Sequence, residues 1–587
     1  MLVIKADFTL FFILKSKLDF PVKKTIATVM KKLILLISIV SFLGFISCQN
    51  DENTGLIYYN INGYTLQANG DLNQFEALVI EDGLVVEVGT ETEMLNRYSN
   101  FEKINGDGLT LLPGLIDAHA HVMGLGIREL DLDVFGVGSL EETLEMIKQF
   151  ADENPDREWI TGRGWNQVLW ESNEFPTASD LDAVVSDRPV YLSRVDGHAA
   201  WVNSRALEIA GIDRNTPNVQ GGTILKNNEG EPSGILVDRS MGAVRQHIPE
   251  RTESDYDRAL ELALDEMSKL GITSVHDART DNDTWELYKR FADEDRLKTR
   301  IYAMIAGTGE IFDQMAADGP VNSYADDLLA LRSVKISADG ALGSRGAALL
   351  EDYHDDPGNK GLLFFDQDEI NAMLLKGASA GFQMNIHAIG DAANRQLLDA
   401  FQYINDELGD QERLRHRIEH AQVVALEDIP RFVDLNLIAS MQQTHATSDM
   451  NMAEDRVGPV RIQGAYAWQT FLDQGTVIAG GSDFPVEHVN PFYGLYSAVT
   501  RQDHEGMPPG GWYSEHRMSR IEALRSFTLD AAYAAHQENK LGTLEPGKWA
   551  DFIVIDRDFF TVDAAEIWQT EVLQTWVGGK KVFDKNQ

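Results

Sequence analysis

The run "LPGLIDAHAHV", Leu112 to Val122, ends in two histidines separated by one alanine. An apolar run entered through Pro-Gly reads as a buried strand, and the two-residue period of a strand sends His119 and His121 to the same side. Two imidazoles then converge on one point. A lone buried pair of this kind is more often a satisfied part of a core than a ligand set. His387, His420 and Asp483, each at the end of a further strand-like run, turn the reading towards a metal site. Nitrogen and carboxylate donors from separate strands, with no thiolate, suit Zn²⁺ or another borderline divalent ion. Donors at strand ends that run into loops leave positions open for water, as catalytic sites do.

The elements that must bring these residues together form a repeating series. "PVYLSRVDGH", "GITSVHDA", "SVKISADG", "FQMNIHAIGD", "RIEHAQ", "LIASMQQTH" and "TVIAGGSDFP" read as strands. Segments between several of them, such as Glu253 to Leu270 and Gln367 to Ala380, have helical periodicity. With the opening run this makes eight candidate strands in βα order, which predicts an α/β fold of the (β/α)₈ TIM-barrel type. Its C-terminal strand ends carry His119, His121, His198, His276, Lys335, His387, His420, His445 and Asp483. No dinucleotide fingerprint, phosphate-cradling loop or serine-nucleophile elbow follows any of these strands. Short strand patterns with a turn at Asp82-Gly83 fill residues 55–112, and similar patterns return in residues 541–587. The two ends of the mature chain are therefore expected to build one small β-sandwich domain around a barrel formed by residues 113–540.

Composition excludes some partners. At 587 residues with 43% hydrophobic residues, the chain can bury a large core. Its 92 Asp and Glu against 51 Lys and Arg give a formal charge of −41, which repels phosphate backbones and predicts no nucleic-acid partner. The single cysteine, Cys48, leaves no intramolecular disulfide and no thiol nucleophile downstream. From Met30 the chain runs "MKKLILLISIVSFLGFISCQNDENTG", a basic, apolar and small-residue order too short to span a membrane. Residues 1–29 then read as an upstream extension, 30–47 as a signal peptide and 48–54 as a linker. The leader resembles a bacterial lipoprotein signal, with Phe45 where that motif usually has Leu. The resemblance implies that Cys48 is lipidated and that the protein is exported to the cell envelope, touching the membrane only through its lipid.

The body of the chain resembles a metal-dependent amidohydrolase of family 3, in the subgroup that includes N-substituted formamide deformylase. "LPGLIDAHAH", "GRGWNQVLW", "SRVDGHAAWVNSRAL", "GITSVHDA", "VKISADGALGSR", "NIHAIGD", "RIEHAQ", "GGSDFPVEHVNPFYGL" and "LEPGKWADFIVID" carry the likeness from about residue 55 to the end. It implies a centre of one or two divalent ions, Zn²⁺ foremost. His119 and His121 would bind the more buried ion, His387 and His420 the second, and Asp483 would be the last-strand carboxylate. Lys335 matches a lysine that in many relatives reacts with CO₂ and bridges two metals. An unmodified ammonium has no acceptor and would be repelled by cations, whereas a carbamate supplies two oxygens. The alternative is an ordinary lysine paired with a carboxylate such as Asp339 beside a single ion.

Weaker roles attach to other residues. His198 and His445 could hydrogen-bond the substrate or its developing oxyanion, or could support the ligands. Arg345 could orient a carbonyl or carboxylate or anchor its Gly-rich loop, and Trp165, Trp170 and Phe492 could wall a pocket or pack a core. His276 beside Asp277 reads as a structural pair. Glu419, one residue before His420, should point to the other side of its strand into a packing or salt-bridge role. The constellation predicts hydrolysis of a carbon–nitrogen bond other than a peptide bond in a small-molecule amide. An ion acidifies the attacking water and polarises the carbonyl, and Asp483 carries the water's proton to the leaving nitrogen. Ester or lactone hydrolysis on the same site would show as turnover of esters but not amides. A non-catalytic surface binding protein would be expected to lack a ligand, and all the usual ligand types are present. A homodimer is the oligomer to test.

Overall fold

The computed structural model describes residues 55–194, 199–219 and 222–586. Eight parallel strands run in chain order around a barrel. They are β1 (Leu115–Ala120), β2 (Ile272–Thr280), β3 (Arg300–Ala306), β4 (Leu329–Ser337), β5 (Gln383–Ala388), β6 (Arg417–His420), β7 (Ile438–Gln442) and β8 (Ile478–Gly481). Helices on the outside bury one stripe each. In Glu253–Lys269, Leu260, Ala263, Leu264 and Met267 recur at helical spacing and face the core, while Thr252 and Asp255 close a capping box at its start. Gln367–Ser379 is capped in the same way by Asp366 and Glu369. Both helices occupy the segments whose periodicity predicts them.

The strand inventory differs from the expected one at a single place. The described part of "PVYLSRVDGH", residues 189–194, does not supply a barrel strand. Val190–Arg194 belongs to a separate six-stranded sheet within residues 132–238, between Ile160–Trp165 and Ala199–Val202. That sheet has its own core around Trp165, Trp170 and Trp201. The strand taking its place in the barrel is β3, "RIYAMIA". It ends in no metal-binding side chain, so a search for chemistry at strand ends passes over it.

The first and last described segments of the chain share a sheet. Its main path runs through 580–584, 572–577, 552–555, 110–113, 56–66, 72–81 and 84–89, with Phe552 opposite Pro113 and Ile555 opposite Thr110. The sheet is tied to the barrel by a buried fork, Arg300 Nε and Nη2 to the two oxygens of Asp551 at 2.7 and 3.0 Å.

Closure of the barrel is where the fold and the site meet. The last strand lies so close to the first that a Cβ at Gly481 would sit 2.7 Å from the backbone nitrogen of His119. Two residues on, Asp483 N–H donates to the His119 carbonyl at 2.8 Å. The glycine is thus needed for approach, and the approach brings Asp483 to His119. Gly481→Ala must push β8 away from β1, at a cost of about 1–3 kcal/mol typical of overpacking. Thermal denaturation should show the loss of stability, and a metal-competition titration should show weaker binding; unchanged metal affinity would detach Asp483 from strand closure.

Candidate metal centre

Three donor atoms converge at the mouth of the barrel. Single ligand atoms of His119, His121 and Asp483 all lie within 4.8 Å of one another. His121 Nε2 is 3.3 Å and His119 Nε2 3.6 Å from Asp483 Oδ1. Each imidazole is turned by a partner on its other nitrogen. His121 Nδ1 lies 2.9 Å from the carbonyl of Ala278, and His119 Nδ1 lies 2.5 Å from Glu419 Oε2. A carbonyl can only accept, so Nδ1 of His121 carries the proton and Nε2 keeps its lone pair for the site. A carboxylate imposes the same tautomer on His119.

Glu419 is the residue whose place strand alternation misses. Both Glu419 and His420 face the centre, because His420 adopts a left-handed backbone, φ 73°, as β6 ends. The predicted salt-bridge role holds, but its partners are Arg417 and the ligand His119. Arg417 Nε lies 2.7 Å from Glu419 Oε1, and neither side chain has exposed surface. Arg417 also donates to the Ala118 carbonyl at 2.5 Å and to Ser440 Oγ at 2.8 Å, and it meets His276 Nδ1 at 2.9 Å. His276 is therefore paired with Arg417 rather than with Asp277. Burial alone would raise the Glu419 carboxyl, but the Arg417 guanidinium and His119 hold it well below the usual carboxylate range. Burial, reinforced by the charge of Lys335, depresses His119 to about 4 and keeps it as a neutral ligand.

The second group stands beside the first. The His420 ring centroid is 4.8 Å from that of His119 and 4.5 Å from that of His387. Gln442 Oε1 lies 2.6 Å from His420 Nδ1 and orients that ring. His445 stacks on His420 at 5.7 Å, with its Nε2 3.8 Å from Asp483 Oδ2. Lys335 is buried at the end of β4, opposite Asn385 on β5. Burial lowers its ammonium against the pull of Glu419 and Asp483. Asp339, the alternative partner for Lys335, is occupied otherwise: it accepts from the backbone of Ala348, Ile389 and Gly390 and lies 3.4 Å from His387 Nε2.

The donor set fits a divalent ion. The Nε2 atoms of His119, His387 and His445 are buried and have no hydrogen-bond partner among the described residues. Such atoms are costly in a core unless they serve a ligand. Asp483 remains a carboxylate. Burial would raise it, yet contact with the imidazoles of His121, His119 and His445 holds it at about 2.

Other expected residues stand elsewhere. Trp165 has no exposed surface, lies in the core of the six-stranded sheet, and donates its indole N–H to the Leu192 carbonyl at 2.9 Å, so it walls no pocket. Trp170 and Phe492 are likewise buried in cores. Arg345 grips Asp355 at 2.8 Å, and Asp355 also binds Arg456, which makes Arg345 a loop anchor. His198 and Cys48 lie outside the described residues.

Comparison with known proteins shows the family of the chain. A family model described as "Amidohydrolase family" matches residues 102–583. The Bacillus subtilis protein YtcJ is 32% identical, over 89% of this chain and 98% of its own. N-substituted formamide deformylase of Arthrobacter pascens is 27% identical, over 90% and 98%. A solved structure of an uncharacterized metal-dependent hydrolase from Pyrococcus furiosus is 28% identical and superposes with a TM-score of 0.70, covering 86% of this chain and 100% of that one.

Glu419 gives the arrangement a direct test. Removing the carboxylate charge in Glu419→Gln should weaken metal binding by about 10- to 100-fold, the usual effect of losing a partner that orients a ligand. Competition with a chromogenic chelator reads that change. Unaltered affinity would mean that His119 does not depend on Glu419.

Proposed function

Because the chain belongs to the amidohydrolase family, we propose that it hydrolyses a carbon–nitrogen bond other than a peptide bond, in a small amide of the N-acyl or N-formyl amine type. The observation that carries this reading is the convergence of His119, His121 and an ionised Asp483 at the barrel mouth. The likeness to the Arthrobacter deformylase supports the amide class. One or two divalent ions, Zn²⁺ foremost, would be held by His119, His121 and Asp483, with His387, His420 and Lys335 serving the second. When bound, such an ion supplies a Lewis acid and a water acidified towards neutrality.

The residues of the chain do the rest. Asp483, already ionised, accepts a proton at a carboxylate oxygen and delivers it to the departing nitrogen, which leaves poorly as an anion. His445 Nε2, 3.8 Å from Asp483 Oδ2, stands where it could hydrogen-bond the carbonyl oxygen as that atom gains charge. The side chain of His121 is 31% exposed, so the substrate enters on that side. Burial lowers the Lys335 ammonium, and its amine form would be the one able to add CO₂ with loss of a proton, giving a carbamate that would offer oxygen donors to a divalent ion. We further infer that the protein is an exported lipoprotein anchored through Cys48, with its catalytic body free of the membrane. Among the described residues no helix is long and apolar enough to cross one.

Asp483→Asn tests the reaction. The amide keeps an oxygen near the metal but removes the base, so amine release from N-formyl and N-acyl amines should fall by about 10² to 10⁴ while bound metal is largely retained. Parallel loss of metal and rate would reduce Asp483 to a ligand, and turnover of esters alone would replace the amide assignment. For the anchor, Cys48→Ser should move the protein from the membrane to the soluble fraction at unchanged specific activity. A mature N-terminus mapped to any other residue would refute lipidation there.

A further inference from the structure

In a chain with 92 acidic residues against 51 basic ones, an exposed arginine readily finds a carboxylate. Arg279 does not. It is exposed at the end of β2, and its side chain makes no ion pair or hydrogen bond with any described residue.

The backbone around Arg279 is shaped to place it. Pairing of β2 with β3 slips by one residue between Ala278, opposite Met304, and Thr280, opposite Ile305. The residue absorbed there is Arg279, with φ 79°. Thr280 Oγ1 donates to Asp277 Oδ2 at 2.9 Å, and the same carboxylate accepts from Val122 N–H at 2.8 Å and from Tyr288 Oη at 2.9 Å. Asp277 and Thr280 thus share one buried face, although three residues apart they should fall on opposite faces of a regular strand. The bulge takes up the odd residue and turns Arg279 out at the barrel mouth, as bulges beside active sites commonly re-aim a side chain. A left-handed arginine is strained, and strain of this kind concentrates at functional positions.

The position adjoins the centre. The carbonyl of Ala278, one residue back, orients His121. The Arg279 guanidinium also acts on the buried Lys335 ammonium, alongside Glu419 and Asp483. A net charge of −41 repels anions at long range. Any attraction for an anionic substrate must therefore come from a cation within about a Debye length, roughly 8 Å, of the bound molecule.

We propose that Arg279 is a specificity-determining residue that receives a carboxylate of the substrate, so that the amide cleaved here carries an acidic group a few bonds from the scissile carbonyl. The planar guanidinium pairs with a carboxylate through two parallel hydrogen bonds, which fixes orientation as well as charge. The proposal rests on the hydrolase reading for its chemistry, but its binding step can be read separately.

The test uses metal-loaded protein and two probes that share a formamide group, N-formylglycine with a carboxylate and N-ethylformamide without. Calorimetric titration of the wild type should show N-formylglycine binding at least about tenfold tighter, the effect expected of a charge-assisted hydrogen bond. Arg279→Gln should erase that preference while leaving N-ethylformamide affinity and bound metal unchanged, and Arg279→Lys should restore part of it. Absence of the preference in the wild type, or its survival in Arg279→Gln, overturns the proposal. If both probes bind in the predicted order and neither is cleaved, the hydrolysis reading fails and the carboxylate site stands.

Discussion

A carboxylate with no exposed surface survives only if it is paired, and the mouth of this barrel depends on how Glu419 is paired. Arg417 beneath it supplies the charge, and His119 above it donates a hydrogen bond to it. Desolvating both ions is costly, and such pairs often gain little for stability over apolar replacements. Here the return is orientation. With Nδ1 of His119 committed to Glu419, Nε2 faces His121 and Asp483 as a neutral donor. The same guanidinium holds the Ala118 carbonyl, so the strand that carries the His-x-His pair is fixed in backbone as well as side chain. An ion pair inside the barrel thus sets the geometry of the ligands at its rim.

Strand ends supply the rest of the geometry by departing from regular strand conformation. Arg279, His420 and Asp483 all have positive φ at or just beyond the ends of β2, β6 and β8. Each turn delivers a side chain that alternation would have sent elsewhere. Backbone of this kind is unfavourable for residues other than glycine and persists only where surrounding packing enforces it. The enforcement is visible: Asp483 is tied to the His119 carbonyl, and Thr280 is locked to Asp277.

Those departures also mark where the sequence stopped being legible. The spacing of His119 and His121 on a regular strand is readable because alternation applies up to the ligands themselves. Convergence with Asp483 followed from βα order, since in a closed barrel the first and last strands are neighbours. The inward turn of Glu419 could not be read, because it requires knowing that β6 ends at His420. Arg417 offered a clue, standing two residues before Glu419 on the same face. The barrel strand Arg300–Ala306 was missed because it carries no chemistry, and 190–194 took its place because it is equally apolar. Trp165 looked like a pocket wall because aromatic density alone does not distinguish a wall from the core of a separate sheet.

On the proposed reading, the donor set is a metal centre first and a hydrolytic site in consequence. The measurement that bears on it most directly is amine release from N-formyl amines by protein stripped exhaustively with a chelator, then titrated with Zn²⁺. Stripped protein should be folded but silent, with turnover returning as one or two equivalents of metal bind. Undiminished turnover in protein shown to be free of metal would contradict the account.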